Sequence, residues 1–105
     1  MADKVINTIH LQTYSWITKT LGIQDSISHT FEKKVEAGTS LSAIFSDMAR
    51  EYPEFGKAVF NSDTGILSDQ VVLIINQRLA RFDQVKATPL NDKDEISLVP
   101  IFIGG

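Results

Sequence analysis

The chain contains 105 residues, of which 43% are hydrophobic, 22% are charged and 9% are aromatic. A length near ~100 residues is typical of a single domain, and such a chain can bury roughly 60–70% of the surface that its unfolded form exposes. This composition excludes a disordered tail, a collagen-like chain and a disulfide scaffold.

The charge balance and the cysteine count narrow the functional classes. Ten basic and thirteen acidic residues leave a formal net charge of −3, and without a basic stripe we expect no nucleic-acid partner. No apolar run approaches the ~20 residues of a membrane helix, so we expect no membrane partner. The first residues lack the pattern of a signal peptide, and a chain without cysteine has no disulfide or thiolate metal site. We therefore expect a cytoplasmic protein without a bound metal.

The first third of the chain predicts two strands. Residues 4–11 alternate between apolar and polar side chains and are rich in β-branched residues, which is typical of a strand. Residues 14–21 suggest a helical turn. Residues 28–36 predict a second strand with Phe31 and Val35 as core anchors. The two strands are expected to form a wide hairpin.

The clearest helix begins after Thr39-Ser40, either of which can cap it with a hydroxyl group. Pro53 ends the pattern, because the residue before proline avoids the helical region. The apolar residues of this segment form one stripe at the helical period: Leu41, Ile44, Phe45, Met48, Ala49 and Tyr52. An amphipathic helix packed on a sheet explains the stripe.

The second half of the chain predicts three further strands. Residues 54–68 are interpreted as a connection. Residues 70–76 form a strongly β-branched strand, residues 78–82 a short returning partner, and residues 95–99 the last strand. Together with the first hairpin and the single helix, these elements predict an α+β domain in which one mixed sheet curls over one main helix.

The end of the chain carries a family resemblance. The block TPLNDKDEISLVP at residues 88–100, followed by Gly104-Gly105, resembles the C-terminal signature of the MoaD/ThiS family. The resemblance extends upstream through Tyr52-Pro53, the turn at residues 63–65 and the strand that ends at Asn76. Members of this family are small ubiquitin-like sulfur carriers with a β-grasp fold. The resemblance thus implies a β-grasp domain over residues 1–100 and a C-terminal tail over residues 101–105.

The resemblance also implies a reaction at the end of the chain. The carboxylate of Gly105 would be adenylated by a ubiquitin-activating-like enzyme that uses ATP, and then converted to a thiocarboxylate. The sulfur would pass to a cofactor precursor, with this chain as the non-catalytic small subunit of a molybdopterin-synthase-like complex beside its large subunit. The chain itself would bind no cofactor. Thiamin or cysteine synthesis, and attachment to protein lysines as in ubiquitin-like modifiers, remain alternatives, as does an adaptor in which the glycine pair is incidental.

Elementary chemistry supports a role for the two terminal glycines. Glycine has no Cβ, so Gly104 and Gly105 allow a close backbone approach inside a partner's active site. A bulky residue there would misplace the carboxylate, and small displacements of a reacting group are costly in rate. Because Gly105 belongs to no core, its deletion is expected to leave a folded but inactive protein.

The sequence departs from the family pattern in three places. Lys93 stands where the family commonly has glycine, and a positive φ there would cost about 1 kcal/mol. Gln77 replaces a glycine in the turn after Asn76. The tail before the glycine pair is apolar, with Ile101, Phe102 and Ile103 in place of proline and small residues. We expect Phe102 to pack on the body of the protein or in a groove of a partner.

Strand alternation also predicts a docking surface. If the odd-numbered residues of strand 70–76 face the helix, Val72 and Ile74 face outward, and Val99 on the last strand shares their side. With the tail residues Ile101, Phe102 and Ile103, this apolar surface is interpreted as a partner site. Coverage by loops of the same chain, or by a dimer, is the alternative.

Other polar and aromatic residues suggest no site. His10 and His29 are the only histidines and lack metal-ligand spacing. Tyr14 and Trp16 are interpreted as packing residues. The acidic group at residues 92–95 is interpreted as a solvated turn, with attraction of a basic partner as the alternative.

Overall fold

The computed structural model describes residues 5–23 and 27–101. Within these ranges the chain forms seven strands and four helices, in the order β1 (Ile6–Tyr14), α1 (Trp16–Lys19), β2 (Ser28–Glu36), α2 (Leu41–Glu51), α3 (Pro53–Ala58), β3 (Phe60–Asn61), β4 (Ile66–Leu67), β5 (Val71–Ile75), β6 (Arg78–Ala80), α4 (Phe82–Val85) and β7 (Glu95–Pro100).

Five strands form one mixed sheet in the order β2-β1-β7-β5-β6, while β3 and β4 form a separate hairpin. Strands β1 and β7 run parallel, and the other neighbouring strands are antiparallel. The predicted α+β architecture and the predicted wide β1–β2 hairpin are confirmed. Because β7 lies between β1 and β5, the last strand of the chain occupies the middle of the sheet.

The main helix α2 covers one face of the sheet. The Ser40 side chain accepts a hydrogen bond from the Ala43 amide at 3.2 Å, which selects Ser40 over Thr39 as the cap. The predicted stripe is confirmed. Five of its six members are buried, namely Leu41, Ile44, Phe45, Met48 and Ala49, and Tyr52 packs against them as a partly buried residue.

Phe45 is the centre of an aromatic cluster. Its ring lies 6.1 Å from that of Phe55, 5.7 Å from that of Phe60 and 5.7 Å from that of Phe82. Phe45, Phe55 and Phe60 are at most 1% exposed. The cluster joins α2, α3, the β3–β4 hairpin and α4, so segments outside the main sheet are attached to the same core.

The connection predicted over residues 54–68 contains regular structure, because Pro53–Ala58 form the helix α3 and the β3–β4 hairpin follows it. Pro53 ends α2 but also begins α3, because proline is favoured in the first turn of a helix. Gly56 allows the two helices to approach closely: a Cβ at this position would lie 3.1 Å from the Ala49 carbonyl oxygen.

Two strand boundaries differ from the predictions. β1 continues to Tyr14, and its partner β2 matches it over nine residue pairs. The returning strand β6 ends at Ala80, and Phe82 begins the short helix α4 instead of extending the strand. The reason is tertiary, since the Phe82 ring packs against Phe45 and Phe60 in the core.

No helix within residues 5–23 and 27–101 combines the length and the apolar character needed to cross a lipid bilayer.

Candidate functional site: the outer sheet face and the end of the last strand

The face of the sheet that points away from α2 carries an apolar surface on β5 and β7. Val71 and Leu73 point into the core and are 8% and 2% exposed. Val72 and Ile74 alternate with these two residues along β5, so they point to the opposite face of the sheet, where they are half-buried. Val99 lies directly across from Val72 in the β5–β7 pair. The structure therefore brings together the three strand residues that alternation places on one face.

Two further residues enlarge this surface. Leu79 on β6 pairs with Ile74 and is 78% exposed, and Ile101 is 49% exposed. We call Val72, Ile74, Leu79, Val99 and Ile101 the outer apolar patch. Sequence reasoning missed Leu79, although the two-residue turn after Ile75 would have found it, because such a turn fixes the register of the returning strand.

The last described residue extends the β5–β7 ladder. The Ile101 amide donates a hydrogen bond to the Gln70 carbonyl oxygen at 2.9 Å, one step beyond the pair formed by Val71 and Pro100. The chain therefore leaves the sheet beside the beginning of β5, next to the outer apolar patch. The predicted site residues Phe102, Ile103, Gly104 and Gly105 lie outside the described residues.

The loop before β7 is held against β1 by hydrogen bonds. The Asp92 carboxylate accepts from the Thr8 amide at 2.7 Å, and the Lys93 amide donates to the Thr8 carbonyl oxygen, also at 2.7 Å. Lys93 has a φ of 71°. The left-handed conformation suspected at this departure from the family pattern is therefore observed.

The turn between β5 and β6 is joined to the same region. Asn76 and Gln77 have φ values of 51° and 70°, as expected for the two central residues of a type I′ hairpin turn. The Asn76 side chain donates to the Asp94 carboxylate at 3.0 Å and accepts from the Glu95 amide at 2.9 Å. Asp94 also accepts from the Asn91 amide at 2.8 Å. The turn is solvent-exposed at Asp92, Lys93 and Glu95, as predicted, and Asp92 and Asp94 also hold the loop together through these hydrogen bonds.

The side chains considered for other chemistry have structural surroundings. His10 faces outward and lies opposite Glu32, whereas the ring of His29 stacks on Phe31 at a centroid distance of 5.6 Å. Trp16 packs against the core. In the described part of the chain, no three His, Asp or Glu residues are grouped as a metal site would require. The arrangement presents an apolar sheet face beside the point where the chain leaves the sheet at Ile101.

This combination of a central last strand, an apolar face and a glycine-terminated tail agrees with the family comparison. The model of the ThiS family matches residues 21–105. The chain belongs to the ThiS family. The resemblance to the MoaD/ThiS sulfur carriers is therefore confirmed. Small proteins of the ThiS family are ubiquitin-like sulfur carriers, generally without catalytic activity of their own, that act together with activating and sulfur-accepting enzymes.

A search of curated proteins finds no significant match to this ThiS-family chain. Several solved structures are similar to it. Small archaeal modifier protein 1 from Methanosarcina acetivorans is 18% identical with a TM-score of 0.67, and the match covers 96% of this chain and 99% of that one. Urm1 from Trypanosoma brucei is 20% identical with a TM-score of 0.66, and the match covers 100% of both chains.

A third similar structure is a Pyrococcus furiosus protein described as molybdopterin converting factor, subunit 1. It is 14% identical with a TM-score of 0.66, and the match covers 91% of this chain and 99% of that one. At these identities the similarities concern the fold. The predicted ubiquitin-like β-grasp fold is confirmed.

Proposed function

We propose that this ThiS-family protein carries sulfur as a thiocarboxylate on Gly105 and donates it in molybdopterin biosynthesis. The observation that carries the proposal is the Gly104-Gly105 terminus, which follows the central strand β7 by only a few residues. The chain acts as a co-substrate, and the partners are an adenylating enzyme and the large subunit of a molybdopterin synthase.

The proposed reaction needs only the terminal carboxylate from this chain. A carboxylate oxygen of Gly105 attacks the α-phosphorus of ATP and displaces pyrophosphate, which leaves an acyl-adenylate. A hydrosulfide ion supplied by the sulfur donor then attacks the acyl carbon, the C–O bond to the phosphate breaks, and AMP departs, which leaves the thiocarboxylate. The activating enzyme holds the ATP. Gly104 and Gly105 have no Cβ atoms, so their backbone can come close to the groups of the partner's active site.

The outer apolar patch is the proposed docking surface for these partners. Val72, Ile74 and Val99 form its centre, and Ile101 connects it to the tail. Burial of apolar surface contributes roughly 25 cal/mol per Å², so a patch of several aliphatic side chains supplies affinity without any charged contact. Phe102 and Ile103 extend the same apolar character along the tail into the partner's channel.

Mass spectrometry tests the reaction. We expect incubation of the full chain with its adenylating enzyme, ATP and a sulfur donor to replace one terminal oxygen by sulfur. A variant lacking Gly105 should stay unmodified and unfold at the same temperature as the full chain. Modification of that shortened variant, or no modification of the full chain by an enzyme that acts on another ThiS-family carrier, would contradict the proposal.

The acceptor requires a separate experiment. The thiocarboxylate form is mixed with the large subunit of a molybdopterin synthase and its pterin precursor, and in parallel with thiamin- and cysteine-forming acceptor enzymes. We expect loss of sulfur only in the first mixture. Loss of sulfur in another mixture would assign the chain to that pathway, and its role as a sulfur carrier would stand.

A second candidate is a protein modifier. Two observations favour it: the chain ends in the glycine pair, and its fold is similar to that of a protein named small archaeal modifier protein 1. In that case the activated Gly105 would be joined to lysine amines of target proteins, with release of AMP. Lysine-linked adducts of the C-terminal peptide in cell extracts would support this candidate.

A further inference from the structure

Strand β2 forms one edge of the main sheet, because among the described strands only β1 pairs with it. The strand spans Ser28–Glu36, contains no proline, and matches β1 one residue to one without a bulge. Proline and bulges are two of the devices by which proteins protect a sheet edge from pairing with another chain. Here the remaining protection comes from charged side chains, chiefly Glu32, Lys33 and Lys34.

The pairing with β1 shows which residues of β2 face the open edge. The Ala37 amide donates a hydrogen bond to the Val5 carbonyl oxygen, so the odd-numbered residues of β2 are the ones that bond to β1. In an antiparallel pair, the residues between them direct their N–H and C=O groups to the other side. The even-numbered residues of β2 therefore offer a row of donors and acceptors to a further strand. Its central members are Thr30, Glu32 and Lys34.

The charges along this edge complement themselves in one antiparallel register. A second copy of β2, related by a two-fold axis through Lys33, would place its Lys34 opposite Glu32 and its Glu32 opposite Lys34. A shift by two residues would place Glu32 opposite Glu32 or Lys34 opposite Lys34. Opposite charges across a strand pair are favourable and like charges are unfavourable. The two copies of Lys33 meet at the axis and weaken the pairing.

The face of β2 that points toward α2 favours the same register. The axis through Lys33 would place Val35 of the second copy opposite Phe31, and the reverse pair follows by symmetry. Both residues are half-buried and pack against the core, so each has apolar surface left to cover. An adjacent pocket of about 210 Å³ could be covered by the second copy. It is lined by Leu21, Ile23, His29, Phe31 and Tyr52.

We propose that β2 pairs with β2 of a second copy of this chain in this register. The dimer has a continuous sheet of ten strands, since each copy contributes five. Main-chain hydrogen bonds hold it together, with the Glu32–Lys34 pairs on one face and the Phe31–Val35 pairs on the other. Because only one strand of each copy takes part, the contact is small, and we expect a dissociation constant of about 0.1–1 mM.

The dimer does not rest on the proposed function. Strand β2 lies at the edge of the sheet opposite to β5 and β6, which carry most of the outer apolar patch. A chain that is adenylated but stays monomeric retains the function and loses the dimer. A chain that dimerises but is never adenylated retains the dimer and loses the function.

Hydrogen exchange in the full-length chain tests which edge pairs. At about 1 mM protein we expect the Glu32 and Lys34 amides to exchange at least about twofold more slowly than in dilute solution, because the dimer protects them. Leu79 lies on β6, at the other edge of the sheet, and its amide should exchange at the same rate at both concentrations. Unchanged rates at Glu32 and Lys34, or slowing at Leu79 instead, would overturn the proposal.

Nuclear Overhauser effects between labelled and unlabelled chains test the register. We expect a contact between the Phe31 ring and the Val35 methyl groups. Within one strand these residues are four positions apart, or about 13 Å, so the contact must come from a second copy. A contact of Val35 with His29 in its place would indicate a pairing shifted by two residues and overturn the proposed register.

Charge reversal tests the ion pairs. Glu32→Lys and Lys34→Glu each place like charges opposite each other, and each should raise the dissociation constant about tenfold. A mixture of the two single variants restores opposite charges in every pair, so it should associate more tightly than either variant alone. Lys57→Glu on α3 changes the net charge as Lys34→Glu does and should shift the constant less than about twofold. No recovery in the mixture would overturn the proposal.

The two neighbouring lysines provide a matched pair of variants. Lys33→Thr removes the like charges at the axis and should lower the dissociation constant about threefold. Lys34→Thr removes both ion pairs and should raise it by a similar factor. Analytical ultracentrifugation measures both constants, and thermal unfolding confirms that the two variants fold. Shifts in the same direction for the two variants would overturn the placement of the axis at Lys33.

Discussion

The side-chain amide of Asn76 donates a hydrogen bond to the carboxylate of Asp94 at 3.0 Å and thereby joins the β5–β6 turn to the loop before β7. The same side chain accepts from the Glu95 amide. These two bonds position the start of β7, and the C-terminal tail leaves from the other end of that strand. The scaffold of the tail thus depends on contacts between residues 18 and 19 positions apart in the chain.

Replacement of Asn76 by alanine should destabilise the fold. Asn76→Ala removes both hydrogen bonds and places a less tolerant residue at a φ of 51°, so we expect a loss of about 1–3 kcal/mol in the free energy of unfolding. Urea denaturation measures it. Asn76→Gly removes the same hydrogen bonds, but glycine adopts a positive φ without strain. The free energy of unfolding should therefore fall less in Asn76→Gly than in Asn76→Ala. Equal losses in the two variants would contradict a backbone contribution.

Glycine should be favourable at two positions where this chain lacks it. Gln77 and Lys93 have φ values of 70° and 71°, and L-residues other than glycine are strained there. We expect Gln77→Gly and Lys93→Gly each to raise the free energy of unfolding by about 0.5–1 kcal/mol, measured by urea denaturation.

Two control variants show whether such gains come from backbone strain. Gln70 is exposed and has no positive φ, so Gln70→Gly should not raise the free energy of unfolding. Gly65→Ala introduces the same backbone strain at a φ of 69°, where an added Cβ would contact no other atom. Its free energy of unfolding should fall by about 1 kcal/mol. A gain at Gln70 as large as that at Gln77 would argue against the explanation.

Polar substitutions in the outer apolar patch should slow formation of the thiocarboxylate without unfolding the protein. Ile74→Thr and Val99→Thr retain β-branched side chains, so we expect changes in stability below about 1 kcal/mol. If the patch docks the adenylating enzyme, formation of the thiocarboxylate at limiting enzyme should slow about tenfold, which corresponds to a loss of ~1.4 kcal/mol in binding. Mass spectrometry over time measures the rate.

The matched control for the patch is Val5→Thr. Val5 is 63% exposed and lies outside the patch, just before β1. Its substitution should leave the rate unchanged. A similar slowing in all three variants would show that the effect does not arise from the patch.

The aromatic cluster should dominate the stability of the core. Phe45 is fully buried and contacts three other phenylalanine rings, so we expect Phe45→Ala to cost about 3–5 kcal/mol. Arg50→Ala on the exposed side of the same helix removes only a surface ion pair with Asp47 and should change stability by less than about 1 kcal/mol. Thermal and urea unfolding compare the two variants, and similar losses would contradict the assignment of the core.

Sequence reasoning succeeded where the signal is local. The apolar stripe of α2 and the alternation of β5 are repeats within a few residues, and each identified the buried face. It failed at α3, because Pro53 both ends one helix and begins the next. It also missed Leu79, whose place beside Ile74 follows from strand pairing and not from its neighbours in sequence.

Periodicity along the chain determines which faces of α2 and β5 are apolar, and the Gly104-Gly105 pair marks the end of the chain at which the proposed function places the reaction. The tertiary structure alone decides that β7 lies between β1 and β5, and that the outer apolar patch lies beside the point where Ile101 ends the β5–β7 ladder. The physical reason is that these features depend on hydrogen bonds and packing between residues far apart in the chain. The bond between the Thr8 amide and Asp92, 84 positions apart, is one such contact.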